Sequence, residues 1–341
     1  MTYIFDIGHP AHVHYFKSLI KRLQAQGHTT LVFARDKECT HELLQSEGIS
    51  FISRGKGRTS LIGKLLYIVQ TDLAMFFRLL GKPKNVFIGF ASPYAAHTAW
   101  LFRKKSITID DTDKANLSHR LYLPFTSVAV TPVFFEKDLG KKQIRFNSFM
   151  ELAYLHPSVF KPSNDAFKIL RIEPTPPYAI VRFVSWGANH DVGQRGMSAD
   201  EKRSVIDLLS AQYRVFISSE GDLPADLQPM RLNIQASELH TVLHSAQLYI
   251  GEGATMAAEA CMLGIPAIYT NTLTAGTLHE MEKRGLLRIF KHETEKIREV
   301  VQSVISEPEL RKRAQERRDQ MLEECDNPTD FFYRLITETN S

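Results

Sequence analysis

Cysteine is scarce in this chain: three in 341 residues, Cys39, Cys261 and Cys325. The number is odd, the spacing is wide and no C-x-x-C pair occurs, which argues against a disulfide scaffold and a structural zinc site. Long apolar runs are also missing. No window approaches the roughly 18–20 uninterrupted apolar residues of a bilayer-spanning helix. The N-terminus, Met1-Thr2-Tyr3-Ile4-Phe5-Asp6, has no basic n-region and no long apolar h-region. No signal peptide is expected, and the cytosol is the default compartment. Basic residues are not interleaved with an aromatic platform or an RNP-like pattern, so nucleic acid is not an expected partner. What is present is ordinary for a globular protein, with 43% hydrophobic and 23% charged residues. The length suits two domains or one large one.

The net charge of +4 hides an asymmetry. Residues 1–156 hold 21 Lys and Arg against 12 Asp and Glu; residues 157–341 hold 21 against 26. A front half of +9 facing a rear half of −5 implies an anionic partner for the front half, or simply solubility.

Short apolar runs alternate with helical spacing along the chain. Tyr3–Ile7 reads as a strand ending at Gly8. Val13, Phe16, Ile20 and Leu23 then mark one side of a helix closed by Gly27, and Thr29–Ala34 is the next strand. Further strand-like runs occur at 50–53, 86–90, 106–110 and 127–131, with helices at 61–80 and 94–103. Five prolines crowd into 157–177, which discourages regular structure and reads as a connection. The alternation restarts with strands at 178–185, 214–219, 248–252 and 267–271, and helices at 200–212, 238–245 and 255–263. A helical, charged tail is expected over 295–334. Repeated strand–helix units imply mostly parallel sheets in two doubly wound α/β domains, with a ligand cleft between them. The expected boundaries are an N-terminal domain at 1–156, a linker at 157–176, a C-terminal domain at 177–325 and a final helix at 326–341 that packs back on the first domain.

The most informative stretch is Tyr249-Ile250-Gly251-Glu252-Gly253-Ala254-Thr255, continuing to Glu259. A strand ends, glycines turn the chain and a helix begins. Free N–H groups at a helix start bind phosphate, and Glu259, one turn further in, can accept both hydroxyls of a ribose. The alternative is a tight turn whose glycines serve geometry alone. The third glycine of the dinucleotide fingerprint is missing, so NAD is disfavoured.

A second cluster, Gly8-His9-Pro10-Ala11-His12-Val13-His14, lies at the end of the first strand. His9 is best placed to act as a base or a phosphate donor; a helix-capping role is the alternative. A metal held by Asp6, His9 and His12 is conceivable, but no further motif of metal spacing supports it. A third cluster is the loop from Arg182 through Ser185 and Asn189 to His190, whose alternative is a buried ion pair for Arg182. Ser219-Glu220 follows another strand end, and His240 begins a short helix. The apolar segment 61–80 is flanked by Arg54, Lys56, Arg58, Lys82 and Lys84. It reads as a helix packed on the sheet or as a face resting on an anionic membrane.

The run Ala246–Thr255, with Glu259-Ala260 and Gly264-Ile265-Pro266-Ala267, resembles the nucleotide-sugar motif of GT-B proteins. It is similar to that of the peptidoglycan UDP-GlcNAc transferase and the non-hydrolysing UDP-GlcNAc 2-epimerases. The segment Asp6–Phe16, with Asp110-Asp111-Thr112, Tyr154-Leu155-His156-Pro157, Arg182, His190-Asp191 and Ser219-Glu220, resembles a GT-B-like family known as domain of unknown function 354. The likeness covers nearly the whole chain. It departs from the epimerases at Ala91, where they carry Asp, and at Ser185-Trp186-Gly187, where their His-Arg-Arg-Glu-Asn motif is absent. Asp111 stands where they carry Glu. These departures place glycosyl transfer ahead of epimerisation.

The resemblance implies a GT-B-like fold of two Rossmann-type domains. The first is the acceptor side, with Gly8 and His12; the second holds a UDP-sugar. Arg182, Ser185, Asn189, His190, Glu220, Gly253, Ala254 and Thr255 would face the nucleotide sugar, and Glu259 the ribose. His9 or Asp111 would be the base. No metal or other cofactor is expected. The expected activity is glycosylation of a hydroxyl on a glycan or lipid-linked acceptor in surface polysaccharide or glycolipid synthesis, with peripheral membrane contact. The alternatives are a 2-epimerase-like isomerase and a non-catalytic nucleotide-sugar-binding protein.

Overall fold

The computed structural model describes residues 1–58, 60–184, 196–292 and 294–338. The chain divides into two compact units, Met1–Tyr154 with Cys325–Ser341, and Leu155–Glu324.

The first unit contains strands β1 (Thr2–Ile7), β2 (Thr29–Ala34), β3 (Ile52–Ser53), β4 (Val86–Phe90), β5 (Lys105–Ile109), β6 (Val128–Pro132) and β7 (Gln143–Phe146). They form one parallel sheet in the order β3-β2-β1-β4-β5-β6-β7. β1 and β4 are buried at every residue; β4 reads as a continuous apolar run and β1 as one broken by Asp6, rather than as alternating strands. The helix Pro10–Ala25 starts with proline at its first position, where the missing N–H costs nothing, and buries Val13, Phe16, Leu19, Ile20 and Leu23. The helix Pro93–Leu101 lies so close to β4 that a Cβ at Gly89 would come within 2.6 Å of Ser92 Cβ.

The helix Pro328–Glu338 also belongs to this unit. Phe332 and Ile336 are buried, and the rings of Phe331 and Phe332 pack 5.6 and 5.3 Å from Phe146. The guanidinium of Arg22 lies over Tyr333, 4.1 Å from the ring centre, and Thr329 donates to the Ala153 carbonyl at 3.2 Å.

The second unit contains β8 (Tyr178–Phe183), β9 (Arg214–Ser219), β10 (Leu248–Gly251), β11 (Ala267–Tyr269) and β12 (Leu287–Ile289). These strands are parallel, in the order β12-β11-β10-β8-β9. Val181, Ile217, Ile250 and Ile268 from the strands meet Val205 and Leu209 of the helix Ala199–Ser210 and Val301 of the helix Ile297–Ile305. A capping box between Ser198 and Glu201 fixes the start of the helix Ala199–Ser210.

Residues 157–176, expected to connect two domains, fall in the second unit; they are mostly irregular but carry the short helix Ala166–Leu170, with Ala166 buried. Pro157 and Pro162 precede that helix and Pro174, Pro176 and Pro177 follow it, so the stretch between is free to coil. The charged tail is helical, as the sequence predicts, in three helices, Ile297–Ile305, Leu310–Glu324 and Pro328–Glu338, separated around Pro308 and Pro328. Among the described residues no helix is long and apolar enough to cross a membrane.

Candidate functional site

In each sheet the strand order reverses once, between β1 and β4 in the first unit and between β8 and β10 in the second. Loops leaving such neighbours in opposite directions open a crevice at the carboxyl ends of the strands, where ligands of open α/β sheets bind. Gly8-His9 follows β1 and Ala91-Ser92 follows β4. Val184 follows β8 and Glu252-Gly253 follows β10.

In the second unit, Gly253 caps the helix Ala254–Met262. Its φ of −92° suits any residue. A Cβ built there would meet Arg182 Cγ at 3.7 Å and Tyr249 Oη at 4.0 Å, ordinary contacts. The fold therefore does not itself require glycine at 253, in contrast to Gly251, where a Cβ would lie 2.3 Å from Tyr249 Oη and 2.7 Å from Arg182 Cβ. Ala254 is half-buried and Thr255 exposed, so the helix start is open at its surface. Glu259, one turn on, is buried and pairs through Oε1 with His240 Nε2 at 3.0 Å. Arg182 pairs with Gly251 across the sheet and reaches along its edge, donating to Ser218 Oγ at 2.7 Å and Glu220 Oε1 at 2.6 Å. The ion-pair alternative for Arg182 is thus realised, with Glu220, but as a partly exposed pair.

Sequence reasoning missed Glu252. Its buried carboxylate accepts from the backbone N–H groups of Val184 and Met197, both at 2.9 Å, and lies 3.2 Å from the Lys202 ammonium, itself buried. An acid between two glycines reads as a loop residue; here it clamps the ends of β8 and β10 to the start of the next helix. Ser185, Asn189 and His190 lie outside the described residues.

In the first unit, His9 caps the helix Pro10–Ala25, its Nδ1 accepting from the Ala11 N–H at 3.2 Å. His12 Nδ1 accepts from the Gly8 N–H at 3.2 Å. A ring nitrogen that accepts carries no proton, so these hydrogen bonds assign both neutral imidazoles an Nε2–H donor. Burial, followed by the charges of His9, Arg54 and Lys37, holds His12 well below the ordinary imidazole range. Burial, with Lys37 beside it, also lowers His9. His9 is thus a helix cap and a donor. Its free nitrogen bears a proton, which does not suit a base.

Two carboxylates brace this unit. Asp6 is buried, with Arg54 Nε 2.8 Å from Oδ1 and Ser92 Oγ donating to Oδ2 at 2.6 Å. Burial raises its pKa, and Arg54 and then Ser92 pull it back. Arg54 is a correction: read from sequence as part of a basic surface flank, its side chain is 3% exposed and lies over the Tyr94 ring. Asp110, fully buried, takes the Tyr122 hydroxyl at 2.8 Å and the Thr112 N–H at 2.9 Å, and His119 Nε2 lies 3.2 Å away. Asp111, next in the chain, keeps partial exposure among closely packed protein atoms. Desolvation and the neighbouring Asp110 push its carboxyl up to about 7, against the hydrogen bond from Thr112. Ala91 adopts a left-handed φ of 43° at the end of β4, a strained conformation of the kind that gathers at functional sites. Among the described residues no group of three or more His, Cys, Asp or Glu is placed to hold a metal ion.

Two Rossmann-type parallel sheets, each with a residue cluster at its reversal point, define a GT-B-like α/β protein. The chain belongs to the family described as "Protein of unknown function (DUF354)", whose model matches residues 2–173. An uncharacterised protein of Methanocaldococcus jannaschii is 23% identical over 97% of this chain and 96% of its own length. Among solved structures, the UDP-GlcNAc 2-epimerase of Neisseria meningitidis bound to UDP-GlcNAc matches with a TM-score of 0.70 at 13% identity, covering 99% of both chains. The spinosyn forosaminyltransferase matches with a TM-score of 0.68 at 14% identity, covering both chains entirely. These likenesses establish the shared fold.

Proposed function

We propose that this chain is a GT-B-type glycosyltransferase that takes a UDP-sugar and glycosylates a hydroxyl of a glycan or lipid-linked acceptor in surface polysaccharide or glycolipid synthesis. The observation that carries this reading is Gly253. It is a glycine that neither φ nor crowding demands, at the bare start of a helix on the sheet's reversal point. A phosphate brought against backbone N–H groups gives the glycine a role beyond the N-cap preference for glycine over alanine. Ala254 and Thr255 complete that cradle, and Glu259 takes the ribose hydroxyls. Arg182 and Glu220 face the nucleotide sugar.

Asp111 is the base. A carboxyl poised near 7 can hold the proton of an attacking hydroxyl, whereas His9 and His12 present N–H donors to the acceptor beside Gly8. The acceptor oxygen bonds to the anomeric carbon as its proton passes to Asp111. The bond from that carbon to the diphosphate oxygen breaks, and UDP leaves with the electron pair. The helix N-terminus offsets the charge on the diphosphate, so the scheme uses no metal or other cofactor.

The test is release of UDP from UDP-sugars with and without hydroxyl acceptors, in the presence of EDTA. Acceptor-dependent release that survives EDTA supports the proposal. A change of sugar configuration without acceptor makes the protein an isomerase, the reading favoured by its likeness to the Neisseria epimerase. UDP binding without turnover on any acceptor makes it a binding protein.

A further inference from the structure

The helix Leu61–Leu79 has two apolar faces, and the sheet covers only one. Tyr67, Thr71, Met75 and Leu79, four residues apart, are buried. On the opposite side Leu65, Leu66, Val69, Leu73, Phe77 and Leu80 are 49–66% exposed. The neighbouring helix Pro93–Leu101 adds Trp100 and Leu101, 58% and 46% exposed. A helix apolar all round is normally buried on every side, and a contiguous exposed patch marks an interaction surface.

The charges around this patch identify what covers it. From Lys56 to Lys105 the sequence has nine Lys and Arg and a single acid, Asp72. That carboxylate is taken by His97, with Nδ1 at 2.7 Å. Lys56, Arg58, Arg78, Lys82, Arg103 and Lys104 are exposed. A second protein would need a surface both apolar and strongly acidic to match. An anionic bilayer provides both properties at once, with acyl chains for the leucines and phosphates for the cations. We propose that the outer face of the helix Leu61–Leu79, with Trp100 and its basic surround, docks the first unit onto an anionic lipid surface without crossing it. The inference rests on this surface alone and is independent of the nucleotide-sugar reading.

The test is co-sedimentation of the whole chain with vesicles of equimolar phosphatidylcholine and phosphatidylglycerol, and with vesicles of phosphatidylcholine alone. Leu73→Asp/Phe77→Asp removes the apolar contact and Lys82→Glu/Lys104→Glu the electrostatic one. These side chains point to solvent, so both variants keep the fold, which circular dichroism verifies. Binding to the mixed vesicles is expected, with salt weakening it and each pair of substitutions reducing it by more than about tenfold. No binding to the mixed vesicles at low salt overturns the proposal, as does binding that ignores both pairs. A dimer in ultracentrifugation that Phe77→Asp dissolves, together with no vesicle binding, assigns the face to a second copy and also overturns it.

Discussion

His240 Nε2 stands 3.0 Å from a carboxylate oxygen of Glu259, the two side chains 8% and 6% exposed. The contact ties the helix Leu239–Ser245 to the helix Ala254–Met262 and fixes the carboxylate one turn beyond the open helix start. In the proposed function, where Glu259 takes the ribose hydroxyls, His240 is a positioning residue. His240→Ala should weaken UDP by about 2- to 12-fold, the net worth of about 0.5–1.5 kcal/mol for one hydrogen bond, and His240→Gln should recover part of that. Calorimetric titration of UDP into both variants checks it; a purely structural His240 would lower the melting temperature and leave UDP affinity unchanged.

Glu252 and Lys202 make a sharper stability prediction. Glu252→Ala takes the carboxylate away from the buried Lys202 ammonium and leaves the Val184 and Met197 N–H groups without this acceptor. The expected cost is about 3–5 kcal/mol in the second unit. Lys202→Met should cost less, because the carboxylate keeps both backbone donors and the methionine fills the same apolar path. Urea denaturation of the two variants side by side gives the order; equal costs would contradict the clamp.

Asp111 ties stability to pH and, in the proposed mechanism, ties rate to pH as well. Its folded pKa is raised from the ordinary 3.8 to about 7, so the native state holds a proton that the unfolded chain releases between these values. Stability contributed by that proton is present below about pH 4 and is lost as pH rises through about 7. Asp111→Asn should therefore melt higher than wild type at pH 8, with the gap closing towards pH 4. If Asp111 is the base, turnover rises as pH passes about 7 in the wild type, and Asn lowers it by about 10²–10⁴-fold. A melting gap that does not change with pH would remove the raised pKa from the account.

The final helix is part of the first unit's core. Phe332 is 1% exposed and packs against Phe146 of the edge strand β7. Phe332→Ala should cost about 3–5 kcal/mol. Hydrogen exchange should show the loss over β6 and β7, with protection in β8 to β12 unchanged. Loss spread evenly over both units would contradict this assignment.

Val86–Phe90 was legible in the sequence because both of its faces are covered and it reads as an unbroken apolar run. Thr29–Ala34 and Arg214–Ser219, only partly buried, also fall where their apolar residues place them. The edge strands β7 and β12 were not read. Each is short, and each carries an arginine, Arg145 and Arg288, in place of an unbroken apolar run. At the candidate site, the loops after β1 and β10 were legible through glycine and histidine chemistry. The partners were not. Arg54 reaches Asp6, Glu252 reaches Lys202 and His240 reaches Glu259 over 48, 50 and 19 positions, and no local pattern encodes such pairings. A charged residue in a polar loop reads as surface until tertiary structure buries it.

The proposed function sets a nucleotide diphosphate against the backbone at Gly253. Its most direct test is calorimetric titration of UDP into wild type and Gly253→Ala. The protein has room for the added methyl, whose nearest neighbour would be at 3.7 Å, so the variant should fold, with melting temperature lowered no further than the preference for glycine over alanine at an N-cap. The account predicts micromolar UDP binding by the wild type and a loss of at least about 1.4 kcal/mol, tenfold, in the variant. UDP that does not bind, or that binds Gly253→Ala as tightly as wild type, would contradict it.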